Sequence, residues 1–154
     1  MKTPEIILSI TFTVLIFGPF CYLYYLGRKR QLNVTRELER AGKSLGLNFS
    51  VKEAWGDRII GYDAAHRSIV YLSIDKTEIK QETIYLMNVQ SVRMILPDPQ
   101  RIVLRFSGRN QSTDIEIYNA AIDSQHDERF HENLANKWAA FLGSKIDINP
   151  RRAA

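Results

Sequence analysis

The chain of 154 residues carries 21 Lys and Arg against 17 Asp and Glu, a formal net charge of +4, and a single cysteine. Lys2, Arg28, Lys29 and Arg30 lie beside one uncharged stretch, with Glu5 the only acid near it. The rest holds 17 basic and 16 acidic residues, which excludes the excess positive charge of a nucleic-acid binder. The lone Cys21 excludes an intramolecular disulfide and fits a reducing compartment.

Ile6 to Leu26, IILSITFTVLIFGPFCYLYYL, is twenty-one residues without a charge. At a rise of ~1.5 Å per residue it extends roughly 31 Å, the thickness of a bilayer's hydrocarbon core. The run predicts a transmembrane helix, with residues 1–27 as the anchor. Three features argue against cleavage as a signal peptide. The run is longer than an h-region, bulky tyrosines stand where small residues precede a cut, and Arg28, Lys29 and Arg30 follow at once as a stop-transfer cluster. Arg36 and Arg40 extend the basic side, whereas Lys2 stands alone on the other. The body is therefore expected in the cytoplasm, under the plasma (inner) membrane, with a short N-terminus outside. Tyr22, Tyr24 and Tyr25 suit the headgroup boundary, and Pro19 predicts a kink. Ser9 and Thr13 have the spacing of a helix-pairing face for a homo-oligomer, although hydroxyls bonded to their own backbone are the ordinary reading.

Residues 28–46 read as a linking helix. Leu32, Leu38, Ala41 and Leu45 form its apolar side, Asn33 or Thr35 its N-cap and Gly46 its left-handed end. Arg36, Glu37, Glu39, Arg40 and Lys43 mark the exposed side.

From Leu47 the period changes to two. Expected strands are Leu47, Phe49 and Val51 with their neighbours, Ile59 to Asp63 or Ala64, Ser68 to Ile74, Glu82 to Met87, Val89 to Leu96, Arg101 to Ser107 and Thr113 to Asn119. Asp75 to Ile79 reads as a loop, Asn88 as a bulge or turn, and Pro97-Asp98-Pro99 as a firm break. In the last strands Ile102, Leu104, Phe106, Ile115 and Ile117 point inward, and Val103, Glu116 and Tyr118 outward. Asp123 or Ser124 caps a final helix with Asp127 and Glu128 in its first turn. Phe130, Leu134, Trp138, Phe141 and Leu142 form its apolar stripe. Residues 47–143 thus make one domain and 144–154 a tail. The fold class is α+β, mainly β: an antiparallel sandwich or barrel of about seven strands, closed at its open end by the C-terminal helix with Trp138 as the plug.

Strands in this number, the stretch ETIYLMNVQSVRMI and a final helix ending KWAAFL around Trp138 resemble the pleckstrin-homology-like fold over Leu47 to Leu142. Many such domains bind phosphoinositides through a basic first hairpin. Here that hairpin reads VKEAWGDRII, where Lys52 and Arg58 neighbour Glu53 and Asp57, so headgroup binding does not carry over. Other members bind peptides or assemble with proteins.

Chemistry is sparse. His126 and His131 stand about 140° apart around a helix, His66 lies beside a turn, and histidines exposed on helix and turn are the ordinary reading. Neither a phosphate-binding glycine loop nor a serine elbow occurs. Asp63, Asp75, Glu78 and Glu82 read as solvated carboxylates. No metal, cofactor or catalytic set is expected. Trp55, Tyr62, Tyr71, Tyr85 and Tyr118 either pack the core, as aromatics usually do, or form a protein-docking face. The expected partners are the bilayer and a membrane or cytoplasmic protein. In the alternative, Arg28, Lys29 and Arg30 are the contacts of a module that senses anionic lipid.

Overall fold

A computed structural model describes residues 3–75, 78–123 and 127–147. Helix α1 runs from Thr3 to Leu45 without interruption, Pro19 inside it. The expected separate linking helix, with an N-cap at Asn33 or Thr35, is corrected to the last turns of this one helix. Gly27 costs about 1 kcal/mol of helix propensity, but Arg28 and Lys29 are good helix formers and no proline follows in the helix, so it propagates past the apolar run. Gly46 ends it as expected, at φ 68°, and Leu47 N–H donates to the Gly42 carbonyl at 2.8 Å.

Four strands follow, β1 (Phe49–Trp55), β2 (Arg58–Asp63), β3 (Ser68–Asp75) and β4 (Glu78–Tyr85), antiparallel in the order β1-β2-β3-β4. A 3-10 turn at Leu86–Asn88 leads to the second sheet, β5 (Val89–Asp98), β6 (Arg101–Gly108) and β7 (Ser112–Asn119), in the order β5-β6-β7. Helix α2 (Glu128–Asp147) follows and takes in residues 144–147, which the expected tail had included, with Ile146 buried. The molecule is α+β and mainly strand.

The middle of the first sheet is covered on both faces, so β2 is buried along its whole length, whereas the outer strand β4 is largely exposed. Ile60, Tyr62, Ile69, Tyr71 and Ile84 face the main core, with Ile102, Leu104, Phe106, Ile115 and Ile117 of the second sheet. Ile59, Val70 and Leu72 face the other way and receive Val34, Leu38 and Ala41 of α1. Leu32 and Leu45, expected on that stripe, are exposed; the packed residues recur four and three apart instead.

Helix α2 lines the main core with His131, Leu134, Ala135, Trp138, Leu142 and Ile146. It also reaches the first sheet. Trp138 Nε1–H donates to Glu53 at 2.7 Å, Phe141 meets Tyr62 edge-on at 5.4 Å, and Arg67 donates to the Lys145 carbonyl. Phe130 is exposed and Phe141 half-buried, because the inner line runs through His131 rather than Phe130. The expectation that His131 is exposed is corrected with it.

Irregular strands account for the remaining differences. Ile102 pairs with Tyr118 and Val103 with Glu116, leaving Ile117 as the extra residue of a bulge, so Tyr118 turns inward too. Val103 is likewise buried. A shift between Phe49 and Val51 leaves Val51 exposed. β4 begins at Glu78, inside the expected loop. β5 continues through Pro97 to Asp98, because a register shift after Ile95 frees the proline from the ladder of an outer strand. The carboxylate of Asp123, an expected cap, accepts the Asn119 N–H at 2.8 Å and binds Arg58. Ser124 and His126 lie outside the described residues.

Candidate functional site

Among the described residues, nothing packs on the apolar half of α1. Residues 10–17 and 19–25 are all exposed, and among the described residues α1 is the one helix long and apolar enough to cross a membrane. A continuous apolar surface of this size needs a nonaqueous neighbour. Arg28 and Lys29 stand exposed at its end; the side chain of Arg30 lies outside the described set.

The second half of α1 is geometrically locked to the sheet. A Cβ on Gly61 would lie 2.9 Å from Leu38 Cδ2, and one on Gly42 would lie 2.7 Å from the Phe49 ring. Leu38 thus meets Gly61, and Gly42, one turn on, meets Phe49, whose ladder partner is Asp63. Helix and β2 therefore run in the same sense. The Gly56-Asp57 turn lies toward the apolar end of α1, and the far end of the sheet holds Asp63, Ser68 and Tyr85, which share one register level.

Four of the five aromatics considered for docking serve the interior instead. Trp55 is buried and donates to the Ile117 carbonyl at 2.9 Å. Tyr71 is buried and donates to the Glu116 carbonyl at 2.8 Å, its phenol pushed up to about 12 by burial. Tyr62 packs on Phe141, and Tyr118 on His131 with ring centroids 5.2 Å apart. They join the two sheets and α2, the core use that aromatics usually have, and not a docking face. Tyr85 alone of the five is exposed, at 48%.

Two buried charges were missed in the sequence because each looks ordinary there. Arg58 opens β2 and reaches both oxygens of Asp123 at 2.8 and 2.9 Å, and Glu116 at 3.3 Å. Burial acts to lower its pKa, but the hydrogen bond to Asp123 and the neighbouring carboxylates outweigh that and raise it. Asp63, expected to be solvated, is fully buried. It accepts the N–H groups of Asn48 at 2.6 Å and His66 at 2.9 Å, and its other link is the His66 ring at 3.1 Å. Burial raises its pKa, but those amides win and hold it at about 2.

β4 is the outer strand of its sheet. Leu86 N–H donates to the Arg67 carbonyl, so alternation along the ladder turns Ile84 and Glu82 toward β3 and leaves the backbone groups of Thr83 and the Tyr85 N–H on the open edge. Beside that edge lies a groove of about 660 Å³, between Thr83–Tyr85, residues 87–90 and the β6–β7 hairpin. Ile84 and Phe106 line it, with Asn110, Gln111, Arg109 and Thr113 from the hairpin side. No Asp or Glu lines it. Gly108 holds the hairpin close, since a Cβ there would stand 2.7 Å from the Asn88 carbonyl oxygen.

Comparison with protein-family models, with curated proteins and with solved structures finds no match for this chain. Its geometry and charge therefore carry the functional argument. Elsewhere five surface cations are paired, Arg40 with Glu37, Lys52 with Glu39, Arg101 with Asp98, Arg105 with Asp114 and Lys137 with Glu53, whereas Arg36, Lys43, Lys80, Arg93 and Arg129 are exposed and belong to no ion pair among the described residues. Among the described residues no three His, Cys, Asp or Glu side chains gather as a metal set.

Proposed function

We propose that this chain is a single-pass membrane protein whose α1 anchors a cytoplasmic, pleckstrin-homology-like domain to the plasma (inner) membrane. The domain acts as a protein-interaction module, a subunit or scaffold of a membrane-associated assembly rather than an enzyme. One observation carries the reading: a single helix is bare and apolar in its first half and packed on the sheet in its second. The basic residues after the span favour a cytoplasmic body. Two antiparallel sheets followed by a C-terminal helix support the pleckstrin-homology-like reading of the domain.

The lipid-sensing alternative is favoured by Arg28 and Lys29, exposed beside the span. Against it, Lys52, Arg105 and Lys137 are each held by an acid, and the turn on the membrane side carries Asp57. The interaction reading is the better supported.

Membrane vesicles of both orientations test the reading. Under it the chain resists alkaline carbonate extraction, and a tag after Ala154 is digested by added protease only in inverted vesicles. Extraction into the soluble fraction, or digestion in right-side-out vesicles, overturns it. In nanodiscs, replacing neutral by anionic lipid leaves amide exchange in residues 49–147 unchanged; new protection there would favour the lipid-sensing alternative.

A further inference from the structure

We propose that the groove beside β4 docks an extended segment of a partner protein by strand addition, with an acidic side chain of that segment paired to Arg109. This rests on the interaction-module reading and names the chemistry of the partner.

The backbone is ready for it. β4 pairs with β3 in unbroken register over its whole length, so its outer edge is regular. Proteins usually blunt such an edge with charge, proline or a bulge. Here the charges Glu78, Lys80 and Glu82 sit on the half nearer the apolar end of α1, and the half in the groove, Thr83 to Tyr85, carries none. The outward groups of Thr83 and Tyr85 offer a peptide the ladder that β3 offers β4.

Volume and charge agree. About 660 Å³ lies within the range of sites that enclose a ligand. The lining holds one cation and no acid, and Arg109 belongs to no ion pair among the described residues. A guanidinium in that position matches a carboxylate through two parallel hydrogen bonds. Tyr85 and Met87, both exposed, add apolar contact at the rim.

The occupant is a different protein rather than a second copy. Pairing β4 with its own twin in antiparallel fashion would reverse one molecule relative to the other. Since α1 runs in the sense of β2, the two spans would then point in opposite directions, which one membrane face cannot hold. The groove lies at the end of the sheet far from the span, within reach of an extramembrane segment.

The test uses the full chain in nanodiscs and a display library of random eight-residue segments flanked by Gly-Ser linkers. The expected result is enrichment, over empty nanodiscs, of extended sequences with Asp or Glu at a fixed position. Selected peptides, remade without free termini, should weaken about tenfold on R109Q. They should also be lost when alternate peptide nitrogens are methylated, which leaves the protein untouched. Thr83→Pro, which removes an amide that β3 does not use, should abolish binding while unfolding stays cooperative. No enrichment, enrichment without acids, dependence on a free C-terminus, or indifference to R109Q and to methylation would each overturn the proposal. Those failures would leave carbonate resistance and sidedness unaffected, so loss of the docking site is distinguishable from loss of the anchored-module reading.

Discussion

Arg58 joins the first sheet to the β7 side through Asp123 and Glu116, and removing it would leave the mostly buried Asp123 without its cation. Arg58→Ala should therefore cost about 3–5 kcal/mol in thermal or chemical unfolding. Trp138→Ala should cost a similar ~3–5 kcal/mol through the cavity it leaves. Trp138→Phe keeps most of the volume and removes only the Nε1–H bond to Glu53, which Lys137 still holds, so it should cost about 1 kcal/mol. Asp63 gives a pH signature. Its folded pKa is depressed from 3.8 to about 2, so its contribution is complete above the unfolded value and is lost as pH falls toward the folded one. Unfolding followed between pH 6 and 2 should show that loss, and Asp63→Asn should flatten it. Of these residues only Trp138 was legible in the sequence, because a large apolar ring on a helical stripe has one common use. Arg58, Asp63 and Asp123 were not, since their partners lie 15 to 65 positions away or have no spacing rule.

The elements were more readable than their edges. A period of two marked the strands and a helical stripe marked α2, because each period follows from geometry within a single element. The bulges were hidden. Tyr118 alternates outward in sequence and packs inward in the fold, since a register shift depends on the neighbouring strand. The junction within α1 was hidden as well: composition changes at Arg28, but the helix does not. Its docking on the sheet predicts a local result. Gly61→Ala places a methyl against Leu38 and Phe49 and should cost about 1–3 kcal/mol. Hydrogen exchange should speed at residues 34–41 and leave 131–146 unchanged; uniform acceleration of both would contradict the separate packing of α1.

At the scale of the whole molecule, one continuous helix joins the exposed apolar run to the domain. The span and its basic collar were legible from hydropathy and charge alone, whereas the groove was not, because it brings residues 83–90 beside 106–113 only after two sheets have formed. The central claim is that the first half of α1 lies in the hydrocarbon, and the chain carries its own probe there. Cys21 is the only cysteine, exposed on that half of the helix. By helical rise it stands roughly 7 Å from the end of the run at Leu26, inside the apolar layer. A charged, water-soluble maleimide applied to native membranes should leave Cys21 unlabelled until SDS is added, after which labelling should be complete. Prompt labelling in intact membranes, at the rate of a free thiol in water, would contradict the account.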